Sequence, residues 1–194
     1  MTGPAIHTAQ PSERERLLAT MVVAFSTDPI SRWALPEPHQ YVTYFPQIVI
    51  KMGGAAFENS AAFSTDDYGG ACLWLPPGVH PDLEAVGEVA EKAVAPSEQE
   101  KVFGFLEQIG GFHPTEPHWY LPFIGVDPVK QGSGYGSALL KHALRNADQD
   151  KLPAYLEASS PGNRRLYERH GFEALGEIQS GDSPTLWPML RKPR

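Results

Sequence analysis

The sequence predicts a single mixed α/β domain over residues 1–194, with antiparallel strand pairing everywhere except around 118–158. Three observations carry this. Apolar runs of strand length alternate with segments of helical period, and no repeat or linker interrupts them. Two pairs of runs, near 60–75 and 172–190, are joined by Asp/Gly and Ser/Gly turns, the mark of hairpins. Between them a β-rich run, a glycine loop, a helical segment and a further β run follow one another.

The elements follow in chain order. "AIHTA" (5–9) reads as a short first strand. Ser12 with Glu15 forms a capping box, so a helix is expected from about Glu13 to Phe25. "STDPISRWALPEP" reads as a loop, because two X-Pro steps interrupt it. A second helix is expected over about Gln40 to Phe57, with a kink at Pro46. "SAAFSTD" and "GGACLWL" flank "DDYGG" as a hairpin. Residues 81–94 and 97–109 are helical by period, the second opened by a capping box of Ser97 and Glu100. "HWYLPFIGV" is the most β-rich run. "SALLKHALRNA" is an amphipathic helix with Ala138, Leu139, Ala143 and Leu144 on its apolar side, and "PAYLEAS" is a strand. "PGNRRLYERHG" is a short helix capped by Ser159 or Ser160, with Pro161 in its first turn and Gly171 at its left-handed end. "FEALGEIQ" and "PTLWPML" are two closing strands about the turn "SGDS".

Composition narrows the function. Hydrophobic residues make up 41% and charged residues 20%, as in a soluble globular protein. The net charge of -7 disfavours nucleic acid, which needs a basic face, and is compatible with a cationic small substrate. The single cysteine, Cys72, has no internal disulfide partner and lies in an apolar run, as a small core residue does. The N-terminal stretch lacks the basic-then-apolar order of a secretory signal, and no apolar run is long enough to span a bilayer. A cytoplasmic protein without a membrane partner is expected. The seven histidines show no metal-ligand spacing, so no metal is expected.

The richest stretch is "IGVDPVKQGSGYGSALLKHAL", 124–144. Glycines between a strand and a helix let backbone N–H groups and the helix N-terminus approach an anion. A plain tight turn is the simplest alternative. A dinucleotide fingerprint is another, with Glu157 about 20 residues on, but its first glycine should follow the strand directly, and here "DPVKQ" intervenes. A P-loop needs a lysine before Ser137, where Gly136 stands.

Two motifs together point elsewhere. Gln131, Gly134 and Gly136 fill the pattern Q/R-x-x-G-x-G/A, and Asn163, Tyr167, Glu168, Gly171 and Phe172 fill an Asn followed by Y-E-x-x-G-F. The chain resembles the GNAT N-acetyltransferases in both. The likeness extends to the puromycin N-acetyltransferases in particular, from about Phe25 to Pro193, in stretches such as "EPHWYLPFIGVDP" and "PAYLEASSPGNRRLYERHGF". The resemblance implies a single mixed, mostly antiparallel sheet with a splayed parallel strand pair, flanked by helices. It implies acetyl-CoA as the co-substrate. Gln131, Gly132, Ser133, Gly134, Tyr135, Gly136 and Ser137 would hold the pyrophosphate. The backbone of Phe123, Ile124, Gly125 and Val126 would hold the pantetheine arm, and Asn163 and Tyr167 would face it. Pro122 fits the splay, because it cannot donate a ladder hydrogen bond.

The chemistry assigns further candidates. Tyr167, with an ordinary pKa of ~10, can protonate a departing thiolate of pKa ~8.5. Strand alternation puts His118 and Tyr120 on one face. Several relatives carry a glutamate base at the position of Tyr120, where this chain has tyrosine, so the base falls to His118 or Glu157. Trp33 and Trp74 are candidate walls of an acceptor pocket. The expected activity is transfer of an acetyl group to a primary amine of a small molecule, an antibiotic among the candidates, by direct attack in a ternary complex. The alternatives are a weakly catalytic acyl-CoA sensor and a protein amino-group acetyltransferase. Oligomeric state is not legible.

Overall fold

The computed structural model describes residues 3–194. One seven-stranded sheet organises them, in the order β1-β2-β3-β4-β5-β7-β6. The strands are β1 (Ile6–Thr8), β2 (Ala62–Thr65), β3 (Gly70–Leu75), β4 (Trp119–Val126), β5 (Ala154–Ala158), β6 (Glu173–Ala174) and β7 (Trp187–Arg191). Every neighbouring pair is antiparallel except β4 and β5, so the sheet is mixed as expected. The helices are α1 (Arg14–Ala24), α2 (Pro29–Ala34), α3 (Pro38–Gly53), α4 (Ala55–Glu58), α5 (Leu83–Ala93), α6 (Gln99–Phe112), α7 (Tyr135–Asp150) and α8 (Pro161–Arg169). Among the described residues no helix is long and apolar enough to cross a membrane.

Several local expectations are corrected. The segment read as a loop contains α2, because Asp28 caps it by accepting from the Ser31 N–H and Pro29 suits its first turn. Neither expected capping box forms. The chain enters α1 through a 3₁₀ turn at Pro11–Glu13, where Glu13 accepts from the Gln10 N–H at 2.7 Å. Glu98 rather than Ser97 precedes α6. Helix α3 runs through Pro46, and the interruption falls at Gly54, between α3 and α4. The closing hairpin is reduced to the two residues of β6 plus a single bridge between Ile178 and Leu186. Cap and breaker signals depend on a few residues each, so packing at a helix end easily overrides them.

Strand β4 sets the geometry of the site. Against β3, Leu73 faces Phe123 while Leu75 faces Tyr120, so β4 carries one extra residue at Leu121–Pro122. The bulge flips the side-chain alternation. Before it Trp119 and Leu121 join the core on the α7 side, and after it Ile124 and Val126 do. Tyr120 and Phe123 share the opposite face. Pairing with β5 covers Trp119 to Leu121 and stops at Pro122. From there the two strands diverge, each still held by its outer neighbour.

Each face of the sheet carries a core. On one, Leu139, Leu140, Ala143 and Leu144 of α7 pack with Trp74, Leu121, Leu156 and Phe172. On the other, Met21, Phe45 and Val49 of α1 and α3 pack with Leu73, Leu75, Tyr120 and Tyr155. The sheet's far side is pinned by Arg191, whose guanidinium donates to both carboxylate oxygens of Asp148 at 2.8 and 2.9 Å.

Gly125 lets α1 lie directly on β4: a Cβ there would stand 2.8 Å from Ala24 Cβ and 3.0 Å from Met21 Sδ. Gly125→Val should therefore destabilise the fold by about 1–3 kcal/mol through overpacking. A lowered denaturant midpoint with unchanged slope is the expected result, and unchanged stability would mean that α1 can shift freely.

Candidate active site

The glycine loop joins β4 to α7. Gly132 and Gly134 have φ of 76° and 88°, a region costly for any residue with a side chain. The Gln131 and Ser133 N–H groups close turn bonds to Pro128 and Lys130, whereas those of Gly132 and of Gly134 to Ser137 make no turn or cap bond. The N-terminus of α7 adds its partial positive charge, equivalent to roughly +0.5. Gly136 acts through packing instead. A Cβ there would lie 3.3 Å from Leu166 Cδ2, so its absence brings α7 close to α8. The loop is tied down at several points. Tyr135 donates to Asp67 Oδ2 at 2.8 Å, Gln131 Nε2 donates to the Val126 carbonyl at 3.2 Å, and Ser137 Oγ meets His170 Nε2 at 2.9 Å. The Tyr135 hydroxyl, with bonds from Gly69 and Thr65, holds the Asp67 carboxyl well below its usual range, so this anchor is an anion at all ordinary pH.

Below the loop, the divergence of β4 and β5 leaves the β5-facing edge of residues 122–126 without a strand partner. Phe123, Ile124, Gly125 and Val126 all lie on this stretch. A slot with unpaired backbone polar groups, leading from an anion-ready loop, fits the amide-bearing arm and pyrophosphate of coenzyme A.

The slot opens into a cavity of about 630 Å³. Its walls are mostly apolar, with Phe45, Phe103, Phe105, Leu106 and Phe123 among them. Glu157, Tyr120, Tyr167, Asn163, Ser159 and Asp28 supply polar groups. Glu157 stands one residue beyond the last β4–β5 pair. Tyr120 Oη donates to its Oε2 at 3.1 Å. Its Oε1 is shielded from solvent and has no hydrogen-bond partner. Burial pushes the Glu157 carboxyl up to about 7, and the Tyr120 and Tyr155 hydroxyls oppose that rise. Burial and the Glu157 charge together push the Tyr120 phenol far up, so it remains a proton donor and is no base.

Tyr167 and Asn163 lie on one face of α8, both on the cavity wall. Ser160 caps the helix by accepting from the Asn163 N–H at 3.2 Å, and Gly171 ends it with φ of 90°, as expected from sequence. Burial, then the charges of Asp28 and Glu157, raise the Tyr167 phenol above its ordinary value. Asn163 Nδ2 donates to Ser159 Oγ at 3.3 Å, and Ser159 Oγ donates in turn to Asp28. The cap of α2 and the start of α8 are thereby joined across the cavity mouth.

Two expected residues fall elsewhere. Trp74 is fully buried in the core on the α7 side and is not a cavity wall. Trp33 does line the cavity, packed on Phe105 with ring centroids 5.4 Å apart. His118 is buried behind the wall with both ring nitrogens engaged, Nδ1 with the Glu116 carbonyl at 2.7 Å and Nε2 with His113 Nε2 at 3.0 Å. His113 takes the place on the wall. No sequence signal singles it out, because it lies in the connection after α6. Among the described residues, no group of three His, Cys, Asp or Glu side chains is placed to hold a metal ion.

Comparisons with known proteins agree with this geometry. An uncharacterized N-acetyltransferase of Schizosaccharomyces pombe is 27% identical over 197 residues, covering 92% of this chain and 79% of its own. A solved structure from Corynebacterium glutamicum, described as histone acetyltransferase HPA2 and related acetyltransferase, superposes with a TM-score of 0.72 at 26% identity, covering 100% of this chain and 98% of its own. Arylalkylamine N-acetyltransferase 2 from Aedes aegypti shares the fold at 12% identity, with a TM-score of 0.68 and coverage of 100% of both chains. The profile of the Acetyltransferase (GNAT) family matches residues 64–172, from β2 through the glycine loop to the end of α8. With more than half its length matched, including every part of the slot, this chain belongs to the GNAT family of acetyltransferases, whose enzymes use acetyl-CoA.

Proposed function

We propose that the protein acetylates the primary amine of an apolar small molecule from acetyl-CoA, by direct attack in a ternary complex. Glu157 is the general base and Tyr167 the general acid. The observation that carries this is a buried carboxylate, Glu157, on the wall of an apolar cavity that is continuous with the β4–β5 slot. Bound acetyl-CoA would supply an acetyl thioester, which gives up its acetyl group to a neutral amine and leaves as a thiol.

The roles follow from the environment of each group. An ammonium group entering the cavity is deprotonated by Glu157, whose pKa of about 7 matches that role near neutral pH. Tyr120 fixes the carboxylate by holding Oε2, so the orientation of the base is set by its own strand neighbour. The carboxylate missing from position 120 is in effect supplied from the adjacent strand, which removes the main argument for a catalytically idle sensor. Tyr167 keeps its phenolic proton at neutral pH and can give it to a departing sulfur. Backbone N–H groups of Gly132 and of Gly134 to Ser137 would hold the pyrophosphate, and the free edge of residues 122–126 the pantetheine arm.

The cavity walls favour an apolar or aromatic amine. Among the described residues, Asp28 and Glu157 are the only carboxylates lining the cavity, too few to neutralise a polyamine along its length. Related folds include an agmatine N-acetyltransferase and an arylalkylamine N-acetyltransferase, and the apolar lining here sits better with the second kind of acceptor. A cavity lined mainly by apolar and aromatic side chains also argues against a polar protein terminus as acceptor.

The direct test is free-thiol release from acetyl-CoA with a panel of arylalkylamines, polyamines, aminoglycosides, puromycin and short peptides. Turnover confined to apolar amines is expected, and a preference for polyamines would sink the acceptor class. For wild type, kcat should rise about tenfold per pH unit below about 7 and level off above it, because Glu157 acts only when deprotonated. Glu157→Gln should lose about 10²–10⁴-fold in kcat, and with it the inflection near 7. Tyr167→Phe should bind acetyl-CoA normally yet lose about 10²-fold in kcat. Full activity in that variant would remove Tyr167 from the acid role.

A further inference from the structure

The cavity has a second polar corner that the transfer step leaves unused. The His118 Nδ1 lies 2.7 Å from the Glu116 carbonyl, which can only accept, so Nδ1 carries a proton. In the neutral ring Nε2 is then an acceptor, and it receives the Nε2–H of His113 at 3.0 Å. His113 is thereby fixed in the tautomer whose Nδ1 is a bare lone pair. That atom has no hydrogen-bond partner among the described residues, and His113 is part of the cavity wall. Burial, with His118 and His80 nearby, pushes the His113 pKa down to about 4, so the ring is uncharged at neutral pH and does not repel a cationic amine.

His113 stands close to the reacting end. Its ring packs edge-on against Tyr120, centroids 4.7 Å apart, and the hydroxyl of the same tyrosine holds Glu157. The ring of Tyr155 lies 4.8 Å away, and its buried phenol, like that of Tyr120, is raised by burial and by the Glu157 charge. One tyrosine side chain therefore separates Glu157 from a neutral acceptor atom.

We propose that His113 is a specificity-determining residue, whose Nδ1 accepts a hydrogen bond from a hydroxyl or amide N–H adjacent to the amino group of the acceptor. His118 is the positioning residue that fixes the tautomer. The proposal rests on the reading of the cavity as an apolar-amine site and narrows it to amino alcohols and amino amides with an apolar body. An acceptor without such a donor strips water from Nδ1 and gives nothing back, and sites of this kind discriminate strongly for that reason.

The test uses three amines with one aromatic body: 2-phenylethylamine, 2-amino-1-phenylethanol and phenylalanine amide. For each, kcat/KM is measured with acetyl-CoA for wild type, His113→Phe and His113→Gln. Wild type should favour at least one donor-bearing amine over 2-phenylethylamine by about 10-fold or more. His113→Phe should abolish most of that preference, and His113→Gln, whose side-chain carbonyl is again an acceptor, should restore part of it. A loss of fold or packing would lower all three rates together and leave their ratios intact. Turnover of all three amines without preference in wild type, which needs no variant, overturns the proposal, as does a preference that survives His113→Phe. Absence of turnover on all three by wild type fails the underlying apolar-amine reading instead, and this proposal falls with it.

Discussion

The missing N–H of Pro122 is the constraint on which the site depends. A proline inside a central strand cannot complete its ladder, and here the chain accommodates it with a bulge against β3 and an end to pairing with β5. Both consequences are used. The bulge reverses the alternation of β4, so that Tyr120 and Phe123 share the cavity face, while Ile124 and Val126 secure the same strand to the α7 core. The lost pairing leaves backbone groups free in an otherwise closed sheet, which is what an extended amide-bearing arm requires. β7 holds β5 through its whole length, so the sheet opens there without fraying.

The electrostatics of the site follow from the low polarity of its walls. In water a carboxylic acid is too weak a base to deprotonate an amine usefully at neutral pH. Inside the cavity burial weakens its charged form and brings its pKa to about 7. The same surroundings keep Tyr120 and Tyr167 protonated. One apolar environment thus raises a carboxyl to near neutrality and keeps two phenols protonated, in a chain whose net charge is -7. The glycine loop is set by other means, its backbone fixed by glycines of positive φ and by the Asp67 anchor.

Tyr120 and Glu157 meet across the parallel pair, the Tyr120 hydroxyl donating to Glu157 Oε2 at 3.1 Å. Tyr120 stands opposite Tyr155, and Glu157 lies two residues further along β5, past the last β4–β5 pair, where the Tyr120 hydroxyl still reaches it. The His113–His118 pair continues this shell of aromatic and hydrogen-bonding groups along the wall.

Much of the site is legible in the sequence because it depends on local chemistry. Gly132 and Gly134 mark a loop that needs left-handed backbone, Pro122 marks a strand that cannot pair, and Ser160, Pro161 and Gly171 bracket a short helix. Such signals survive folding because φ and the supply of N–H groups belong to the residue itself. The capping boxes at Ser12 and Ser97 and the loop at 26–38 do not survive, since weak local preferences there yield to packing at helix ends and to the Asp28 cap. The functions of single side chains are decided by the tertiary structure alone. Trp74 and Trp33 look equivalent in sequence, yet one fills the core and the other walls the cavity. His118 is the histidine that strand alternation singles out, and His113 is the accessible one. Which carboxylate becomes a base, and which imidazole keeps a bare nitrogen, depends on burial and on partners far away in the chain, and no stretch of sequence contains either.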